Sequence, residues 1–291
     1  MVKILLDTDI GCDQDDMQAL GYLLAQKDAE LLGITTVCGE PVIRAQIADL
    51  MCRRSDKKMP IHAGASVTLS GRKMGPPVRS ERVLPEHYEH NPDIPEDTAV
   101  EFMRQTIEEH PGEITLCAIG ALTNLAILFR KYPNVIPLIK RTVIMAGRYG
   151  YADPYWGEQE CNIRADQLAA ETVFHAPLTD VWVFGVEMTC KVFRSDVQTV
   201  ADNAEKCPWM VPFAEVIRQC TCAWYHDVVA VVSPFWQDGM QFERGSIRVS
   251  EKGDTLFTAD PDGNVHLLRE LDIPAFFDHF CQTLGIPGFK F

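Results

Sequence analysis

ILLDTDIGCDQDD, residues 4–16, is the stretch that decides the fold. Ile4, Leu5 and Leu6 make an unbroken apolar run of the kind that forms a strand buried on both faces. Gly11 permits a tight turn, and Met17, Ala19, Leu20, Leu23 and Leu24 then carry helical spacing. Strand, turn and helix in this order put the residues between them at the carboxyl end of the first strand, where open α/β sheets bind ligands. Five aspartates, Asp7, Asp9, Asp13, Asp15 and Asp16, occupy that turn. They cannot all ionise at close quarters without a compensating cation, and carboxylate oxygens suit Ca²⁺ or Mg²⁺ rather than a soft metal. An acidic helix start favoured by the helix dipole accounts for two or three such residues, but not for five.

Outward from this stretch, strand-like runs at 3–7, 31–37, 114–119, 141–146 and 180–186 alternate with helical patterns. The helices are predicted at 14–26, 42–54, 96–109, 122–131, 134–139 and 165–174. Such alternation, with nearly continuous apolar strands, predicts an α/β fold with a mostly parallel, Rossmann-like central sheet flanked by helices. Residues 64–95, rich in Gly, Pro, Arg, Glu and His, read as a long irregular loop over the sheet's edge, of the kind used as a lid or binding loop. A smaller C-terminal portion follows, helix-like at 208–232 and strand-like at 246–249, 255–259 and 264–267. No linker separates it, so residues 1–291 are expected to form one domain.

The 291-residue chain is 46 % hydrophobic, enough for a sizeable core, and its formal net charge is −14. With no Lys/Arg cluster to neutralise phosphates, a nucleic-acid partner is not expected. No run approaches transmembrane length, so no membrane association is expected, and MVKILLD is too short for a secretory h-region. Most of the ten cysteines lie in apolar segments, such as Cys38 and Cys117, where they act as small hydrophobes. Cys220 and Cys222 lack a second pair at zinc-site spacing. A reducing cytoplasm is the simplest setting.

Four further segments fall at strand ends or inside helices and carry chemistry. They are TTVCGEP with Glu40, AIGALTNLA with Ile119 and Gly120, the loop from Met145 to Asn162 with Tyr155, Trp156, Glu160 and Asn162, and CAWYHDVVAVV with Trp224, Tyr225, His226 and Asp227. A His-Asp pair on an apolar helix buries polar groups that need partners. A histidine satisfied by its neighbouring acid is the plainer account, but a cation at the N-terminal aspartates would give Asp227 a second role. The aromatic residues Trp156 and Tyr225 are candidates to stack on a flat ring, as are Tyr155 and Trp224.

Taken together, DTDxG…DD, ITTVxG, G-x-LTN, E-x-N and the late HD pair resemble the inosine-uridine-type nucleoside hydrolases, in that family's order from residue 4 to about residue 232. The resemblance implies hydrolysis of the N-glycosidic bond of ribonucleosides, a role in nucleoside salvage, a bound Ca²⁺ and a homo-oligomer, dimer or tetramer. It implies that Asp9 sits at the ion as general base on the metal-held water, with Asp16, Asp227 and the carbonyl of Ile119 as ligands. Glu160 and Asn162 match the residues that hold ribose hydroxyls, and His226 the residue that assists the departing base. The chemistry is coherent, because bond breaking builds positive charge on the sugar and negative charge on the base. A metal-held water needs little activation, and a histidine titrates near neutrality.

The chain also departs from the family. Its acidic turn is two residues longer, which leaves Asp15 and Asp16 as helix-start acids and Asp13 as an extra candidate ligand. Glu40 stands where the family has a sugar-contacting asparagine. The 64–95 loop lacks the family's His-Gly-rich segment, and His87, Tyr88 and His90 are the residues there that could replace it. A haloacid-dehalogenase-type phosphatase would share the apolar strand and D-x-D, but expects Thr or Ser where Gly11 stands. An EF-hand starting at Asp7 fails at Cys12 and Gln18. A hydrolase-like binding protein without catalysis is the non-enzymatic alternative.

Overall fold

The computed structural model describes residues 1–11, 14–75, 78, 89–150, 155, 157–194, 198–214, 217 and 223–289. The opening stretch folds as its pattern predicts, into β1 (Val2–Thr8), a turn, and α1 (Asp15–Ala25). Then follow β2 (Ala29–Thr36), α2 (Pro41–Arg54), β3 (Ile61–Ala63), α3 (Ala99–Glu109), β4 (Ile114–Ala118), α4 (Thr123–Lys131) and β5 (Arg141–Met145). Next come α5 (Cys161–Ala165), α6 (Gln167–Phe174), β6 (Val181–Phe184), α7 (Val186–Thr189), β7 (Phe193–Arg194), α8 (Gln198–Asp202), β8 (Ala223–Trp224) and α9 (His226–Val232). The chain closes with β9 (Met240–Val249), β10 (Thr255–Ala259), β11 (Val265–Leu271) and α10 (Ile273–Leu284).

The nine-stranded sheet has the order β10-β9-β11-β6-β5-β4-β1-β2-β3. From β3 through β2, β1, β4, β5 and β6 to β11 each adjacent pair is parallel, and β9 is antiparallel to both β11 and β10. The chain builds outward from β1 to β2 and β3, then returns to the other side of β1 to lay down β4, β5 and β6. The order therefore reverses between β1 and β4, the switch point at which a crevice opens beyond the strand ends.

Side-chain alternation along β1 divides the core between the two faces of the sheet. Ile4 and Leu6 join residues of α1, α2, α9 and α10, whereas Leu5 joins residues of α3, α4 and α6. Among the described residues no helix is long and apolar enough to cross a membrane.

Three expectations change. The run at 134–139 is a 3-10 helix, Pro133–Leu138, and the 165–174 helix begins after Asp166, whose Oδ1 caps α6 by accepting from the Ala169 amide at 3.2 Å. The stretch 208–232 is not one helix. It opens with a 3-10 segment, Pro208–Phe213, that contains Pro208 and Pro212, and among the described residues the chain passes through β8 before α9 starts at His226. The smaller C-terminal portion joins the main sheet as part of the one domain, with β11 pairing to β6 and to β9. The edge strand β3 and the helix α10 were not foreseen. In the 64–95 stretch, the described residues form neither helix nor strand beyond an isolated bridge between Val67 and Lys73.

Candidate active site

The packing of α1 against α9 joins residues more than two hundred positions apart. Asp15, Asp16 and Asp227 each place one carboxylate oxygen within 4.8 Å of the others, and all three are buried. Thr8 Oγ1 donates to Asp16 Oδ1 and itself accepts from the Ile10 amide at 3.1 Å. Asp15 accepts from the amides of Asp16 at 3.2 Å and Asp227 at 3.5 Å. Three buried carboxylates this close repel one another strongly in a medium of low polarity. An all-oxygen donor set carrying excess negative charge fits a hard divalent cation. Asp9 lies outside this trio, and Asp15 takes the place beside Asp16. Asp13 falls outside the described residues.

Asp9 instead meets the turn after β4. A Cβ built on Gly120 would lie 2.8 Å from the Asp9 amide nitrogen and 3.0 Å from its Oδ1. Glycine at 120 thus lets the two strand ends touch at the switch point. The neighbouring carbonyl of Ile119 accepts from Asn162 Nδ2 at 3.0 Å, and the same amide donates to the Met145 carbonyl at 3.0 Å. Asn162 therefore ties the end of β4 to that of β5.

Asp7 underpins the site from below. It is fully buried, and its Oδ1 accepts from Thr35 Oγ1 at 2.7 Å and Asn124 Nδ2 at 2.8 Å. Burial pushes its pKa up to about 7, the two hydrogen bonds oppose the rise, and the Asp9 charge adds to it. Asn124, the last residue of LTN, also donates to the Thr36 carbonyl at 3.0 Å, so it braces β1, β2 and α4.

Glu160 is the N-cap of α5. Its carboxylate accepts from the amides of Gly147 at 3.0 Å, Asn162 at 2.7 Å and Ile163 at 3.1 Å. Burial raises its pKa, the three amides lower it, and Asp9 is near enough to raise it further. Glu40 Oε2 accepts from the Val78 amide at 2.7 Å, and the residue lines a cleft of about 300 Å³ with Gly39, Pro41, Ser66 and Asp97. His226 shares a 2.7 Å hydrogen bond between its Nδ1 and Thr189 Oγ1 of α7, which fixes the ring at the start of α9.

Tyr225 is a candidate to stack on a flat ring. It is fully buried, edge-on to Phe277 at 4.9 Å and Phe280 at 5.7 Å. Tyr155, 75 % exposed, is stacked on Trp224 at 6.1 Å at the surface. Trp156, His87 and Tyr88 fall outside the described residues, and His90 is partly exposed.

Sequence reasoning missed Glu187, Tyr149 and Arg44. Glu187 Oε2 accepts from the Tyr149 amide at 3.0 Å, while Glu187 Oε1 and the Tyr149 hydroxyl are buried with no partner among the described residues. Burial raises the pKa of both. The signal was an acid in FGVEMT, directly behind a strand end. Arg44 is fully buried on α2, one turn after TTVCGE.

The inosine-uridine preferring nucleoside hydrolase family model matches residues 4–278. The chain is 27 % identical over 274 residues to uridine nucleosidase 1 of Arabidopsis thaliana, covering 86 % of this chain and 79 % of that one. A plant nucleoside hydrolase structure, the PpNRh1 enzyme, superposes with a TM-score of 0.80 at 22 % identity over 98 % of this chain and 99 % of that one. A purine-preferring ribonucleoside hydrolase from Gardnerella vaginalis has a TM-score of 0.79 at 20 % identity, covering 97 % and 98 %. Strand ends converging on buried carboxylates at the switch point, and a family match spanning nearly the whole chain, lead to one conclusion: the chain belongs to the inosine-uridine preferring nucleoside hydrolase family.

Proposed function

We propose that this glycosyl hydrolase cleaves ribonucleosides to base and ribose at a Ca²⁺ site formed by Asp16, Asp227 and Asp15, with Asp9 and the carbonyl of Ile119 at its edge and Asp13 as a further candidate acid. The observation that carries this reading is the buried trio of Asp15, Asp16 and Asp227. When bound, a divalent cation would balance these charges, draw sugar hydroxyls to the site and lower the pKa of an adjacent water.

The protein's own groups supply the rest. Asp9, beside the Ile119–Gly120 turn, takes the proton from the attacking water. The surrounding carboxylates favour the positive charge that grows on the sugar as the bond to the base breaks. Glu160 and Asn162 face ribose hydroxyls from the loop behind β5, and Glu40 does so from the loop behind β2. His226, oriented by Thr189, gives a proton or hydrogen bond to the departing base. Tyr155 and Trp224 offer a stacking face for that base, and Trp156 belongs to the same loop. We further propose a homo-oligomer, dimer or tetramer, a place in nucleoside salvage, and a cytoplasmic setting. The last agrees with the unbridged state of Cys38, Cys52, Cys117, Cys161, Cys190, Cys207 and Cys281.

The deciding experiment is a reducing-sugar assay on inosine, uridine, adenosine and cytidine, with Ca²⁺ and with chelator. Ribose release that needs Ca²⁺ and disappears in a folded Asp9→Ala variant is expected. No ribose from any of the four with Ca²⁺ present, or phosphate release from a generic ester, would overturn the reading.

A further inference from the structure

Among the described residues Arg44 is the largest fully buried side chain, and it stands in the first turn of α2. A cation there is opposed twice, by desolvation and by the positive end of the helix dipole. Its contacts explain why it is kept. Nε donates to the Cys38 carbonyl at 2.7 Å, and Nη1 donates to the carbonyls of Asp9 and of Ile10, the latter at 3.0 Å. One guanidinium therefore holds the turn after β1 and the turn after β2 together. The second turn needs such a hold, because Cys38 is left-handed at φ 77 and Gly39 follows at φ 64.

The first turn carries Asp9. Its carbonyl is held by a residue that follows β2, while its amide and carboxylate lie against Gly120, which follows β4. Asp15, Asp16 and Asp227 are positioned by α1 and α9, which Arg44 does not contact through these bonds. Fixing two successive carbonyls fixes the peptide planes on the far side of Asp9, and with them the direction of its side chain.

We propose that Arg44 is a positioning residue for Asp9. It aims the proposed base across the switch point through the backbone of the first turn. This rests on the role of Asp9 proposed above. Lysine keeps the charge but has no planar fork to span three carbonyls.

The test compares the wild-type protein with Arg44→Lys and Arg44→Met by ribose-release kinetics, by Ca²⁺ titration calorimetry and by the NMR signals of the aspartate side-chain carboxyl carbons. The Asp9 signal is assigned through Asp9→Asn. The expected result is a kcat lower by about 100-fold in Arg44→Lys, the scale of loss for a reacting group misplaced by an ångström. KM and Ca²⁺ affinity stay within about threefold of wild type, as expected when only transition-state interactions are lost. The Asp9 signal moves while those of Asp16 and Asp227 do not. Wild-type kcat in Arg44→Lys, an unmoved Asp9 signal, or a parallel loss of kcat, KM and Ca²⁺ affinity would each overturn the proposal. If Arg44→Met fails to fold, Arg44→Lys decides. If the wild-type protein releases no ribose, the proposed function fails, and the NMR signals still decide whether Arg44 positions Asp9.

Discussion

Asp15, Asp16 and Asp227 set a conflict between folding and function that a single substitution exposes. Three buried carboxylates within 4.8 Å destabilise the metal-free fold. Asp16→Asn keeps an oxygen to accept from Thr8 Oγ1 and removes one charge. The metal-free variant is expected to melt above metal-free wild type, at about 2–4 °C for each kcal/mol of repulsion relieved. Wild type should gain about 2.7 kcal/mol when Ca²⁺ reaches a hundred times its dissociation constant, and the variant should lose this gain. Melting curves with Ca²⁺ and with chelator check both parts. Glu187 gives a second expectation, in pH. Its folded pKa is raised by burial, so between the unfolded value and the folded one the native state holds the proton that the unfolded chain releases. Stability from this group is complete below the unfolded pKa, falls as pH rises through the folded one, and is level above it. Glu187→Gln should flatten that fall and melt higher than wild type at pH 8, because the amide oxygen can still accept from the Tyr149 amide. A wild-type slope in the variant would exclude Glu187 as its source. At this scale the sequence singled out the acids by their number and spacing, and His226 by its pairing with Asp227 on an apolar stretch. It did not disclose Arg44, Glu187 or Tyr149, because one ordinary Arg, Glu or Tyr becomes notable only when its burial is known.

Helix α1 must come close enough to α9 and the segment before it for the carboxylates to meet, and Gly21 sets that approach. A Cβ at position 21 would lie 2.2 Å from Trp209 Cζ2, inside the indole ring's contact distance. Alanine in a helix interior is ordinarily better than glycine by about 1 kcal/mol. Here overpacking should reverse the sign, for a net loss of about 1–3 kcal/mol, and should weaken Ca²⁺ binding by displacing Asp15 and Asp16. Denaturant titration and Ca²⁺ calorimetry of Gly21→Ala check the two effects. Combining it with Trp209→Ala should restore the binding, and independent, additive losses in the double variant would rule the contact out as the cause. The parallel strands were legible because they are short apolar runs between helical patterns. The 208–232 stretch was not, because its apolar residues, interrupted by Glu215, Arg218 and Gln219, fit one long buried helix and a broken one equally. Its break has a functional consequence. Starting α9 at His226 puts His226 and Asp227 in a first turn that faces the strand ends, rather than in the middle of a helix.

For the molecule as a whole, the C-terminal strands continue the sheet that β1 began, and they also reach back to the site. Thr255 of β10 binds the backbone of Arg148 in both directions: its Oγ1 accepts from the Arg148 amide at 3.1 Å and donates to the Arg148 carbonyl at 2.6 Å. Gln159 Nε2 donates to the Lys252 carbonyl in the connection between β9 and β10. The loop that leads from β5 to Glu160 is therefore braced at both ends by chain laid down a hundred residues later. The sequence indicated the sheet, but not this bracing, which depends on which edge the last hairpin joins. Two outcomes follow. The chain should unfold in one cooperative transition, with no early melting of the segment after residue 240, because β11 completes the parallel array beside β6. Thr255→Val keeps the side chain's shape but removes both bonds to Arg148. A loss of about 1 kcal/mol in stability is expected from each bond removed. Ca²⁺ affinity should stay at the wild-type value, since the carboxylate trio lies on α1 and α9, while KM for the nucleoside rises as the 149–160 loop loses its anchor. Calorimetry and steady-state kinetics on the one variant separate these effects. A fall in Ca²⁺ affinity with an unchanged KM would mean that the hairpin acts on the acidic site and not on the loop.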